Sequence, residues 1–458
     1  MYILYAPFAR FGAVPRGTAL FTPSIKFTDN IASTSLRYWR DFAVKKGIRD
    51  ITPKSISQYN NKKRYNDVLF IAMGGIGDIL WSVPVIKRFK LLHPHCRVTV
   101  HCSKDYFSVL LNNPFIYQYT FLPPHYIPLM FYLFDEIIDF GGAVVNHPEQ
   151  NTKHAVDLYF EKAHLSLPLK AENRAPKIFV DDTEKALIFS FLKTQNIDPL
   201  KDDIAIVNTE SSAPIRTYPF ERSVKIATEL AEKGFKVFLL GRSKEILHIS
   251  LQQCECGFTF PWKHVQNIKE IYVTCTECGR KIPIKPNKLH PNIIPLIGTV
   301  DFRLATCLIS QADIFIGPDS GLLQVAAALS VPSVGLYGPI PASLRVKYYE
   351  KHVSLEGECP KKRCFRHKPI CPIGDPSPCL LDIQPEQVLK LSLEVHQKFR
   401  EEKEKKWYGI PKLLEDKRLQ KLGSDFSRIF TEKALTSVVD STKLIRKRLE
   451  STKPPSPA

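Results

Sequence analysis

Apolar residues along this chain gather into short runs separated by amphipathic stretches. Runs at 68–73, 97–101 and 136–140 read as strands, with helices over 78–92 and near 105–111 between them. A helix over 154–165 follows, and then a proline-containing passage from 167 to about 200. The scheme resumes with strand 204–208, helix 221–233 and strand 236–240, then strand 293–297, helix 302–311, strand 313–316, helix 322–329 and strands 333–337 and 352–355. Alternating strands and helices build parallel sheets covered on both faces. Gly234 suits the left-handed position that ends a helix. The pattern predicts an α/β chain of two domains, 66–195 and 196–395, preceded by an extension over 1–65 and followed by a partly helical tail over 396–458.

One interval breaks the rhythm. A short loop and a strand are expected after 240, but about fifty residues intervene, so 242–291 reads as an insertion. It carries Cys254-Glu-Cys256-Gly and Cys275-Thr-Glu-Cys278-Gly. Four thiolates at such spacing suit tetrahedral zinc, and glycine after each pair permits the tight turn around sulfur. Cys254, Cys256, Cys275 and Cys278 are therefore candidate ligands of a structural zinc in a small ribbon. A redox dithiol or unligated thiols are the alternatives, and the first pair departs from the common C-x-x-C. Cys359, Cys364, Cys371 and Cys379 form a looser group for which metal binding, packed thiols and an oxidisable pair all stay open. Eleven cysteines, an odd number, in a chain without a secretory pattern argue against a disulfide framework.

Two glycine-bearing loops carry the candidate chemistry. In Gly74-Gly75-Ile76-Gly77-Asp78 the glycines Gly74, Gly75 and Gly77 allow a sharp strand-to-helix turn and close approach by a ligand. Asp78 is either a helix-cap carboxylate or a general base at the carboxyl end of a strand. Asp319-Ser320-Gly321 ends a strand and opens a helix, so the Ser320 hydroxyl and the first backbone N–H groups suit a diphosphate, although a plain cap looks the same locally. Ser211, Ser212 and Arg216, after the first strand of the second half, offer hydroxyls and a guanidinium to phosphate oxygens. Solvated loop residues are the alternative for these, but Gly335-Leu336-Tyr337-Gly338-Pro339 adds a third strand end in the same half. The pair of glycine-bearing loops suggests two nucleotide-fold halves facing one cleft.

These segments resemble the ADP-heptose:lipopolysaccharide heptosyltransferases, glycosyltransferase family 9. The likeness rests on 68–80 with Pro84 and Pro94, on 312–321 running into Ala326-Ala327-Ala328-Leu329, on 331–339, and on the cysteine-bearing loop from Cys359 to Cys379. It implies a GT-B fold of two Rossmann-like domains, the first binding the acceptor and the second the nucleotide sugar, here with a four-cysteine zinc-ribbon-like insertion. It also implies inverting transfer without a catalytic cofactor, Asp78 as base, and contact of Arg216 and 319–321 with the donor. ADP-sugar is the favoured donor and a glycan or lipid-linked hydroxyl the acceptor. The chain departs from the family in having Gln324 where His is common, and Arg216 where Lys is usual.

Charge adds less. The balance of 64 Lys+Arg against 46 Asp+Glu gives +18, but much of the excess lies in the tail, at 398–406 and 443–448. It reads as a solvated helix face or as contact with an anionic membrane leaflet, and nucleic acid is not the expected partner. No run of 18 apolar residues and no signal-peptide pattern is present, which suggests a cytoplasmic protein, peripheral at most. Competing readings are an inactive GT-B binding or assembly protein that uses its ribbon, and a sugar-nucleotide epimerase.

Overall fold

A computed structural model describes residues 2–5, 19–22, 49–51, 66–120, 134–242, 256, 272–274, 278–283, 289–298, 300–359, 364, 371–374 and 377–402. Two compact units are present. The first comprises Met1–Phe107 and Asn113–Pro176, the second Ser108–Asn112 and Lys177–Ala458.

In the first unit, β1 (Tyr2–Tyr5), β2 (Ala19–Thr22) and β3 (Arg49–Ile51) form an antiparallel sheet in the order β2-β1-β3. The unit's main sheet is built from β4 (Asp67–Ala72), β5 (Arg97–Cys102), β6 (Gln118–Thr120) and β7 (Glu136–Asp139), all parallel in the order β6-β5-β4-β7. Five of the six residues of β4 are buried, as expected for a strand covered on both faces. Helix α1 (Ile76–Leu92) follows β4 and buries Ile79, Leu80, Val83, Ile86 and Phe89. Phe70 of β4 meets Phe89 edge-on at 5.4 Å. Phe140 stacks on Tyr159 at 4.5 Å, which fastens α2 (Ala155–Lys162) to the sheet. The helix expected near 105–111 is a single 3-10 turn, Phe107–Leu110.

The second unit opens with α3 (Asp182–Thr194), capped by Asp181, whose carboxylate accepts from the Glu184 N–H. The sequence pattern reads 167–200 as a passage without a helix and ends the first domain at 195, whereas α3 falls in the second unit. Arg303 supplies the reason, as described below. The sheet contains β8 (Ile204–Asn208), β9 (Lys236–Leu240), β12 (Ile293–Pro295), β13 (Ile314–Pro318), β14 (Ser333–Tyr337) and β15 (His352–Glu356). All pairs are parallel, in the order β12-β9-β8-β13-β14-β15. Between β9 and β12, β10 (Tyr272–Thr274) and β11 (Lys281–Pro283) form an antiparallel hairpin. The helices are α4 (Phe220–Glu232), α5 (Phe302–Ser310), α6 (Gly321–Ala328), α7 (Pro378–Asp382) and α8 (Pro385–Phe399).

Helix α4 ends as the glycine predicts. Gly234 has φ +94°, its N–H bonds to the Ala231 carbonyl, and the Phe235 N–H reaches back to the Leu230 carbonyl at 3.1 Å. That pair of bonds is a Schellman closure. Helix α4 packs with α8 around Ile226, Leu230, Val237, Leu239 and Val388. From β8 the chain moves outward to β9 and β12, then returns to β13 beside β8 and proceeds the other way to β14 and β15. The reversal leaves a crevice outside the carboxyl ends of β8 and β13, the place where open α/β sheets bind ligands. Among the described residues no helix is long and apolar enough to cross a membrane.

Candidate functional site

At the carboxyl end of β4 the chain turns through Gly74, whose φ is +130°. A Cβ there would lie 2.7 Å from Asp78 Oδ2, so only glycine fits. Asp78 occupies the third position of α1, and its Oδ2 accepts from the Gly75 N–H at 2.8 Å. The cap expected of this carboxylate is therefore present. The cap commits Oδ2 to the loop and does not by itself preclude a proton-accepting role for the group. Gly77 packs beside the Trp81 ring.

At the crevice of the second unit, Gly317 lets two strand ends meet. A Cβ on it would fall 2.9 Å from the Asn208 Cβ. Asn208 Nδ2 donates to Ser320 Oγ at 2.9 Å and to the Glu210 carbonyl at 2.8 Å. Ser320 caps α6, since its Oγ also accepts from the Leu323 N–H at 3.2 Å. With two bonds accepted, the Ser320 O–H is left as that group's donor. Gly321 then begins α6, and the first N–H groups of a helix are the kind of donors that suit an anion.

The remaining candidates converge on the same loop. Ser211 is buried and donates its hydroxyl to the Asp319 carbonyl at 2.7 Å, so it supports the loop rather than offering itself to a ligand. Arg216 Nη1 donates to Asp319 Oδ2 at 3.0 Å, and Nη2 to Ser212 Oγ at 3.1 Å. The Arg216–Asp319 pair is 15% and 6% exposed. Arg216 Nε is buried and makes no hydrogen bond among the described residues. Gln324 lies one turn into α6, 3% exposed, with its Oε1 accepting from the Tyr349 phenol at 3.3 Å. Ser211, Ser212, Arg216, Asp319, Ser320, Gly321 and Gln324 thus gather around one strand reversal. Asp78, Gly74, Gly75 and Gly77 belong to the other unit.

Asn208 and Tyr349 were not legible as site residues. A polar residue closing the apolar strand Ile204–Asn208 was the available signal for the first. Nothing local marks Tyr349. Beneath the loop, His352 bonds through Nδ1 to Ser333 Oγ at 2.9 Å and through Nε2 to Tyr337 Oη at 3.2 Å. Desolvation lowers its pKa to about 3, with Asp319 acting in the opposite sense.

Of the proposed zinc ligands, Cys254 and Cys275 lie outside the described residues, while Cys256 and Cys278 are exposed. Residues 275–280 join β10 to β11, and Gly279 in that connection has φ +72°. Cys379 is buried, and burial first, then neighbouring Cys359 and Cys371, push its thiol up to about 11.

Two parallel α/β units, the second with its strand order reversing between β8 and β13, define the class as a GT-B fold. The structure of ADP-heptose lps heptosyltransferase II from E. coli superposes with a TM-score of 0.50 at 17% identity, over 73% of this chain and 99% of that one. A family 9 glycosyl transferase from Veillonella parvula gives 0.51 at 16% identity, over 74% and 100%. Residues 270–371 match the model of glycosyltransferase family 9 (heptosyltransferase). Lipooligosaccharide heptosyltransferase 2 of Haemophilus ducreyi is 30% identical over 132 residues, 28% of this chain, so the chain spans 30% of the length of that curated relative. The chain thus shares its fold with these structures, and its sequence likeness to the heptosyltransferases of glycosyltransferase family 9 lies in residues 270–371.

Proposed function

We propose that this chain is an inverting glycosyltransferase that moves a heptose-like sugar from a nucleoside-diphosphate donor, ADP-sugar being favoured, to a hydroxyl of a glycan or lipid-linked acceptor. The observation that carries the reading is the convergence of Arg216, Asp319, Ser320 and the start of α6 at the strand reversal of the second unit. A diphosphate placed there meets the Ser320 O–H and the N–H groups of Gly321 and Leu322, since those of Leu323 and Gln324 already bond to Ser320. The Arg216 guanidinium adds its remaining donors. Fixed donors of this kind stabilise negative charge on a leaving diphosphate without having to reorganise.

Asp78 takes the proton from the acceptor hydroxyl, which attacks the anomeric carbon from the face opposite the leaving group and inverts it. An asparagine at 78 still presents an oxygen to the Gly75 N–H, so Asp78→Asn separates the base from the cap. We expect turnover to fall by about 10²–10⁴-fold with donor affinity retained. Turnover near that of the wild type would remove Asp78 from the mechanism. The donor assignment is tested by thermal stabilisation with ADP, UDP, GDP, CDP and ADP-heptose. A shift with ADP and a larger one with ADP-heptose supports the reading, a shift with another nucleotide changes the sugar, and none favours a non-catalytic role.

Cys254, Cys256, Cys275 and Cys278 hold a structural zinc in this reading. Support comes from the hairpin placed around 275–280 and from the left-handed Gly279 after Cys278. The reading also places the protein in the cytoplasm, with the basic tail contacting an anionic leaflet where a lipid-linked acceptor is presented.

A further inference from the structure

The crevice of the second unit contains a buried donor that the fold itself does not use. Gln324 is bonded through its backbone N–H to the Ser320 carbonyl at 3.2 Å. Helical side chains lean toward the N-terminus of their helix, so its carboxamide lies over the turn begun by Ser320 and Gly321. Its Oε1 is satisfied by Tyr349, whereas Nε2 has no hydrogen-bond partner among the described residues. Leaving a buried amide unsatisfied is costly, a cost that a ligand acceptor removes.

A carboxamide has two faces, and they are not equivalent beside an anion. One flip offers two N–H donors, the other a carbonyl oxygen that repels a phosphate oxygen. The phenol of Tyr349 donates to the oxygen side. Tyr349 sits in the turn between the 3-10 segment Ala342–Leu344 and β15, and desolvation pushes its phenol pKa well above the ordinary value. It stays a protonated donor over any working pH.

We propose that Tyr349 is a positioning residue for the donor: by holding Gln324 Oε1, it turns both Nε2 hydrogens toward the diphosphate of a nucleoside-diphosphate ligand at the start of α6. The inference rests on the donor-site reading above. It adds a residue, remote in sequence, that sets how Gln324 meets the anion.

A double-mutant cycle on the full chain tests it, with whichever of ADP, UDP, GDP or CDP binds the wild type as the probe and calorimetry as the readout. Gln324→Met keeps volume and removes the donors. Tyr349→Phe keeps the ring and removes the hydroxyl. Each is expected to weaken nucleotide binding about three- to tenfold. Tyr349→Phe in the Gln324→Met background should weaken it no further, because a residue acting only through Gln324 has nothing left to orient. Gln324→Glu, of nearly the same shape, should lose more than Gln324→Met. Wild-type affinity in Tyr349→Phe, or an equal loss in both backgrounds, overturns the positioning role while leaving the donor site in place. A wild type that binds none of the four nucleotides overturns the donor site itself, and this inference with it.

Discussion

At the scale of single residues, the loop glycines and the buried histidine carry the sharpest consequences. Gly74 combines a φ of +130° with a Cβ position 2.7 Å from the Asp78 carboxylate. Gly74→Ala therefore strains the backbone and displaces the carboxylate at once. We expect a loss of stability of about 1–3 kcal/mol and a fall in turnover exceeding what that loss explains, read by thermal melts beside activity. His352 gives a pH signature. Its pKa is lowered to about 3 in the fold, while in the unfolded chain it titrates near the ordinary value of about 6.5. The unfolded state thus binds a proton first as pH falls. Stability associated with this ring is complete above about 6.5 and is lost progressively from there toward 3. Melting temperature between pH 7 and pH 5 should fall less steeply in His352→Gln than in the wild type. Parallel slopes would show that the ring does not titrate on unfolding.

At the scale of elements, Arg303 decides which unit owns α3. Its Nε and Nη2 donate to the two Glu184 oxygens at 2.7 and 2.6 Å, and its remaining donors reach the carbonyls of Ser108 and Phe179, each at 2.9 Å. Burial works to raise the Glu184 pKa, but the Arg303 bonds outweigh it and hold the carboxyl below its usual value. Arg303→Met leaves a half-buried carboxylate and two carbonyls short of donors. It should cost about 3–5 kcal/mol, measurable by denaturant unfolding, and part of that difference should vanish as pH falls below the Glu184 range. The sequence pattern reads 167–200 as a passage and does not show this helix, although its Asp181–Glu184 capping box is local. Nor does it show the helix's allegiance, which depends on an arginine more than a hundred residues away. The same divide runs through the site. Strand-end glycines and Asp319-Ser320-Gly321 announce themselves by local backbone demands, whereas the Ser211 contact to the loop and the Tyr349 contact to Gln324 exist only after the sheet has assembled.

At the scale of the whole chain, the insertion is the main departure from a plain pair of α/β units. A parallel neighbour such as β12 beside β9 requires a crossover, and here residues 241–292 supply it. If four thiolates in that stretch hold zinc, metal analysis of protein purified without chelator should return about one zinc per chain, and Cys278→Ser should lower it. Protein without zinc removes the ribbon. The length of the crossover has a further meaning for how such a chain can change over time. Closing a longer loop costs only about 0.6 kcal/mol for each doubling of its length, so the edge pairing of β12 with β9 tolerates a connector of almost any size. A sheet that keeps one edge of its strand order for a site at the reversal can accept a wholly new module at another, and the old arrangement need not be renegotiated for the new one to arrive.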